Sequence, residues 1–110
     1  MMRKFWIVIL ALAAASVHAA DDRGRVVYVS MGCDSCHGAT GKGSLGMAKM
    51  LNVELQKLDL AQIPAGKKDA DLVKAIDKGQ GKMPRYGGRV KPEDIDAVVS
   101  YIRSLSTQTK

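Results

Sequence analysis

Cys33 and Cys36 are the only cysteines in the chain, and His37 follows the second directly, in the stretch "MGCDSCHGAT". Residues three apart in a helical turn project to one side. The local backbone is thus asked to present two thiols together, with an imidazole beside them. Three chemistries use such a cluster: a zinc site, a dithiol or disulfide, and the attachment of a c-type haem.

The ends of the chain bear on the choice. "MMRK" is a short basic start, Phe5 to Ala15 is an apolar run, and Val17 and Ala19 frame a small-x-small cleavage site. This is the layout of a secretory leader, expected to be removed after Ala19 and to place the protein in the periplasm. A retained membrane anchor is the alternative, but a bilayer span needs about 20 apolar residues and this run is shorter. No cysteine lies near the cut for a lipid anchor. The expected organisation is a leader over residues 1–19 and one domain over residues 20–110, with no stable membrane span after cleavage.

Removal of the leader takes His18 with it and leaves His37 as the sole histidine. A structural zinc wants four Cys or His ligands, and three crowded ones give little reach. Redox C-x-x-C pairs sit near a βαβ pattern, which is not evident here. A plain disulfide would close a loop so short that it constrains almost nothing in the unfolded chain. C-x-x-C-H as a haem attachment site uses all three residues: a thioether from each thiol, and His37 placed to reach the iron. The remaining domain also keeps only Tyr28, Tyr86 and Tyr101 as aromatics, because Phe5 and Trp6 leave with the leader. A small domain with so few rings has room in its core for a bulky cofactor.

Periodicity points to an all-α chain. Ile95, Val98, Val99, Ile102 and Leu105 form one stripe of a helix over Lys91 to Ser106. Pro92 suits its first position, and Glu93, Asp94 and Asp96 suit its positive end. Leu72, Val73 and Ile76 mark a second helix over Lys68 to Gly79, with Gly79 just past its end. Asp21 to Ser30 is a third helical segment. Leu51, Leu55 and Leu58 share a face of a fourth, between residues 44 and 63. "GQGKMPRYGG", Gly79 to Gly88, is a loop.

A haem iron has a second face, and no histidine remains to fill it. Met31 is too near Cys33 to cross the ring. Met47 and Met50 sit in a helical apolar pattern, where methionine usually packs. Met83 lies in a loop with glycines on either side and Pro84 next to it, so it is the expected distal ligand.

These motifs resemble a small bacterial class I cytochrome c with one haem. The resemblance rests on "GCDSCHGATGKG", "LVKAIDKGQGKMPRYGG" and "VKPEDIDAVVSYIRSL" and covers nearly all of residues 20–110. It implies the cytochrome c fold: about four short helices around one covalent haem, with the N- and C-terminal helices crossing. Gly24, Tyr28 and Tyr101 match the pattern of that crossing. It also implies that Cys33 and Cys36 carry the haem, that His37 and Met83 are its axial ligands, and that the protein is an electron carrier, not an enzyme. Family members commonly have a proline soon after the motif whose carbonyl orients the histidine. This chain has none between His37 and Pro64, so the acceptor for the His37 ring N–H is not readable.

The whole chain carries 17 Lys and Arg against 11 Asp and Glu; losing Arg3 and Lys4 leaves 15 against 11, a net charge of +4. Lys78, Lys82, Arg85, Arg89 and Lys91 bracket Met83 with no acidic residue among them. They are expected to face acidic redox partners. There is no basic helix or aromatic platform for nucleic acid. Two other readings stand beside a free carrier: the haem c subunit of a larger oxidoreductase, and a five-coordinate haem enzyme or gas sensor.

Overall fold

The fold was obtained as a computed structural model, which describes residues 22–108; the leader assigned to residues 1–19 lies outside the described residues. The described residues contain five α-helices and no strand. They are α1 (22–30), α2 (Cys33–His37), α3 (Leu45–Leu51), α4 (Asp69–Lys78) and α5 (Pro92–Gln108). A helix falls within each of the four segments where one is expected, and the cysteine motif forms a short helix of its own as the fifth.

α5 is the spine. Its predicted stripe is buried in full: Ile95, Val98, Val99, Ile102 and Leu105 all lie in the core. Burying such a side chain is worth about 1.5–3 kcal/mol, whereas a β-branched residue costs a helix only a few tenths. Packing therefore settles the conformation of this segment. α4 adds Ile76 to the same core, and α1 adds Val27 and Tyr28.

α1 crosses α5 at Gly24. A Cβ at this position would lie 2.7 Å from the Cβ of Tyr101 and would strike the Ala97 carbonyl. Only a residue without a side chain lets the two backbones come this close. One turn on, the Tyr28 and Tyr101 rings meet edge to face with centroids 5.3 Å apart, a favoured aromatic geometry. Arg23 clasps Asp94 through two hydrogen bonds of 2.9 and 2.8 Å, and this pairing holds the Asp94 carboxyl below the usual carboxylate range. The expected crossing of terminal helices is thus observed, through Gly24, Tyr28 and Tyr101.

The segment between residues 44 and 63 departs from expectation. It is not one helix with Leu51, Leu55 and Leu58 on a common face. α3 stops at Leu51, and two 3-10 turns follow at Leu55–Lys57 and Leu60–Gln62. Asn52 ends α3 in the left-handed conformation, φ 56°, with its N–H bonded to the Ala48 and Lys49 carbonyls. Asparagine tolerates that conformation better than most residues. Asp59 then caps the second 3-10 turn by accepting from the Ala61 N–H at 2.9 Å. As a result Leu58 is buried while Leu55 is 39% exposed. Met50, expected to pack, is 78% exposed.

Candidate functional site

α2 presents the two thiols. Gly32 precedes it and Gly38 follows, so the motif occupies one isolated turn. Cys33 and Cys36 are free thiols, both half-buried. Cys33 packs against the main core, and burial pushes its thiol up from the ordinary value. A redox dithiol needs the opposite shift, toward a ready thiolate. Among the described residues, no group of three or more His, Cys, Asp or Glu side chains is placed to hold a metal ion by itself. The zinc and dithiol readings therefore gain nothing from the geometry.

His37 is oriented by a backbone group. Its Nδ1 lies 2.8 Å from the Leu58 carbonyl oxygen. A carbonyl can only accept, so Nδ1 carries the proton and donates it. Nε2 is left as the basic nitrogen, free to bind a metal, and the ring is held in place in the manner typical of metal-bound histidines. The Leu58 carbonyl is itself fixed from both sides. The Leu58 N–H donates to the Leu55 carbonyl at 2.9 Å, and the Leu60 N–H to the Gly41 carbonyl at 2.7 Å. The broken segment thus supplies the acceptor that no proline supplies here. A backbone carbonyl has no side-chain signature, which is why the sequence does not reveal it.

Other bonds fasten the loop after the motif. The Gly43 N–H donates to the His37 carbonyl at 2.7 Å and the Ser44 N–H to the Cys36 carbonyl at 2.9 Å. The Tyr28 hydroxyl donates to the Gly38 carbonyl at 2.6 Å. Tyr28 is 1% exposed, and burial pushes its phenol well above the ordinary value. It therefore stays protonated, and able to donate, across the physiological range.

Met83 sits in the loop that follows α4. It is half-buried and packs against the core, as Met31, Ile63 and Tyr86 also do. Its backbone is pinned in a tight turn: the Met83 N–H donates to the Gln80 carbonyl at 2.9 Å, and the Gln80 N–H returns to the Met83 carbonyl at 3.1 Å. The turn folds back over Gly79, where φ is +79° and a Cβ would lie 2.8 Å from the Met83 carbonyl oxygen. The Tyr86 and Gly87 N–H groups then anchor the loop to the Ile76 and Asp77 carbonyls of α4, each at 2.9 Å.

The basic residues of this segment point to different places. The Lys82 ammonium donates to the Leu51 carbonyl at the end of α3. The Arg89 guanidinium lies 4.9 Å from the centre of the Tyr86 ring. Arg89 and Lys91 line a groove beside α1 with Arg23 and Val26. Lys78, at the end of α4, and Arg85 are exposed.

The donor set suits a c-type haem. Two unpaired thiols share one turn, an imidazole has only Nε2 uncommitted, and a thioether lies in the same core as Cys33. Comparison with known proteins agrees. Residues 19–102 match the family model described as cytochrome c oxidase, cbb3-type, subunit III. Cytochrome c6 of Microcystis aeruginosa is 40% identical over 73 residues, covering 66% of this chain and 83% of that protein. Cytochrome c-555 of Methylococcus capsulatus is 32% identical over 108 residues, 94% of this chain and 80% of that one. Cytochrome c6 of a Nostoc species is 31% identical over 108 residues, 93% of this chain and 92% of that one. The chain belongs to the cytochrome c family: it is a small class I cytochrome with one covalently attached haem c, moving electrons rather than transforming a substrate.

Proposed function

We propose that this cytochrome is an exported, periplasmic one-electron carrier in which His37 and Met83 are the axial ligands. Cys33 and Cys36 form the thioethers, residues 1–19 are the leader, and residues 20–110 the working domain. The observation that carries the reading is the hydrogen bond from His37 Nδ1 to the Leu58 carbonyl. It fixes the tautomer with Nε2 free, which a ligand histidine requires. When bound, the haem supplies a one-electron iron couple.

The polypeptide sets how that couple behaves. A thioether from Met83 is a soft ligand that favours the reduced metal and raises the potential. With His37 on one face and Met83 on the other, no position is left for O₂ or peroxide. The short turn at Gln80 and Met83 and the bonds to α4 hold the thioether in place, so little rearrangement accompanies the gain or loss of an electron.

The test is the visible spectrum of the matured protein, oxidised and reduced, with and without CO. The intact protein should show the thioether-to-iron charge-transfer band and bind CO slowly. Met83→Ala should lose the band and bind CO at once. Its potential should fall by an appreciable part of the roughly 0.8 V that axial ligands span. Rapid CO binding by the unaltered protein would remove Met83 from the distal face and favour a five-coordinate haem sensor or enzyme.

Lys78, Arg85, Arg89 and Lys91, with Lys82, offer positive charge to an acidic redox partner. Exposed charges are screened within about 10 Å at 0.1 M salt. Electron transfer to an acidic partner should therefore slow as salt rises, and the slope should flatten in a Lys78→Gln/Arg85→Gln variant. An unchanged slope would exclude these residues from docking. A second reading, as the haem subunit of a larger oxidoreductase, is favoured by the oxidase-subunit description of the matching family model. Size-exclusion chromatography of the native protein separates it from a free carrier. Among the described residues no helix is long and apolar enough to cross a membrane.

A further inference from the structure

α3 and the Met83 loop are distant in sequence, and the Lys82 side chain joins them. The Lys82 ammonium donates to the Leu51 carbonyl, across 31 residues of chain. We propose that Lys82 is a positioning residue for the distal ligand: a strap from the Met83 loop to the end of α3 that limits how often Met83 leaves the iron. The inference rests on the reading of Met83 as that ligand.

Three features of the chain make the contact more than a chance surface bond. The first is the acceptor. Leu51 is the last residue of α3, and the closing N–H groups go elsewhere: those of Asn52 and Val53 both reach Ala48, and Asn52 also reaches Lys49. The Leu51 carbonyl is one of the groups a helix end leaves without an internal partner. It also lies at the negative end of the helix, where a cation is favoured.

The second is leverage. Lys82 is not on a floppy stretch. Gly81 and Lys82 form the tip of the turn closed by the paired Gln80 and Met83 backbones. Lys82 is bonded directly to Met83, so a restraint on the tip restrains the thioether next to it. The far side of the loop is already anchored to α4 through Tyr86 and Gly87. The Lys82 contact adds an anchor at the tip, on a different helix.

The third is the other end of the strap. α3 is followed by the 3-10 turns that aim the Leu58 carbonyl at His37. The segment that receives Lys82 is therefore continuous with the one that orients the proximal ligand. The strap closes a ring of contacts running from His37 through Leu58, Leu51 and Lys82 to Met83.

The experiment measures distal opening directly. Imidazole is mixed with the oxidised holoprotein at rising concentration until the binding rate levels off at the rate of Met83 release. Lys82→Ala should raise that limiting rate by about three- to tenfold, the size expected of an exposed charge-assisted hydrogen bond. Lys82→Arg keeps a long cationic donor and should restore most of the original rate. Lys49→Gln, which removes a charge from α3 without touching the strap, should leave it unchanged. Thermal unfolding of the same variants guards against a general effect: the melting temperature of Lys82→Ala should fall by no more than about 10 °C, the most that a tenfold change in opening costs a domain of this size.

The outcomes separate the strap from the ligand assignment. If imidazole binds the parent and Met83→Ala equally fast with no plateau, Met83 is not the ligand and both readings fall. If the parent shows a plateau that Lys82→Ala leaves unaltered, Met83 ligates and the strap alone is refuted. An equal increase in Lys49→Gln would also refute it, because the effect would then be one of general charge.

Discussion

A Cys33→Ser/Cys36→Ser double variant should carry no covalent haem and should not hold its native fold. Mass spectrometry of the exported protein should find the bare polypeptide, and acidified organic solvent should extract any pigment present. The loss of structure follows from how the core is made. Among the described residues, Tyr28 is the sole aromatic fully inside. Met31, Cys33, Ile63, Met83 and Tyr86 pack against the core but are only partly covered by the polypeptide. A domain of this size has little stability in reserve, on the order of 5 kcal/mol. Any ligand that binds only the folded state adds to that reserve. Without its attached cofactor the variant should show weak helical circular dichroism and no cooperative melt at 25 °C. A single Cys36→Ser variant should keep the haem through the Cys33 thioether, with reduced stability. Retention of a covalently bound chromophore by the double variant would overturn the assignment of both thiols.

Gly24→Ala should be among the most damaging single methyl additions to this chain, although alanine is the better helix former. The propensity gain is about 1 kcal/mol. Against it stands a Cβ that would lie 2.7 Å from the Tyr101 Cβ and press on the Ala97 carbonyl. Neither obstacle is the free end of a flexible side chain, so the helices must move apart. Separation would loosen the Tyr28 and Tyr101 ring contact and the Arg23 clasp on Asp94. Overpacking of this kind costs about 1–3 kcal/mol, occasionally more, and a bulkier Gly24→Val should reach the upper end. At about 4–8 °C per kcal/mol for a domain of this size, Gly24→Val should melt well over 10 °C below the parent. Val26→Ala, two residues along on the exposed face of α1, should change little. A Gly24→Ala protein as stable as the parent would show that α1 and α5 do not meet as described.

The crossing also shows what kind of information a sequence carries. The stripe on α5 was readable because helix periodicity and burial coincide there: five apolar positions recur on one face and all five are buried. The limits of α4 were readable because acidic residues open it and Gly79 closes it. The segment from residue 44 to 63 misleads for a physical reason. Leucines at helical spacing look like one stripe, but the left-handed backbone at Asn52 and the hydrogen bond that Asp59 accepts from the Ala61 N–H break the run into three pieces. Both effects are local, and a count of apolar periodicity does not register them.

For the site, residue chemistry and tertiary placement divide the work. The identity of the cofactor follows from the sequence, because covalent attachment demands two thiols and a histidine at a spacing that few other functions use. Met83 is expected as the remaining ligand by elimination and by its place in a glycine-flanked loop. The orientation of His37 could not be read this way. It depends on the Leu58 carbonyl, 21 residues away, and any residue but one in the wrong place could present a carbonyl there. The link from Lys82 to Leu51 is hidden for the same reason, since its acceptor is again main chain. The sequence by itself determined which atoms can bind the haem. Only the tertiary structure decided which backbone groups hold those atoms in position, because a carbonyl is common to every residue and acquires a role only through the direction in which the fold points it.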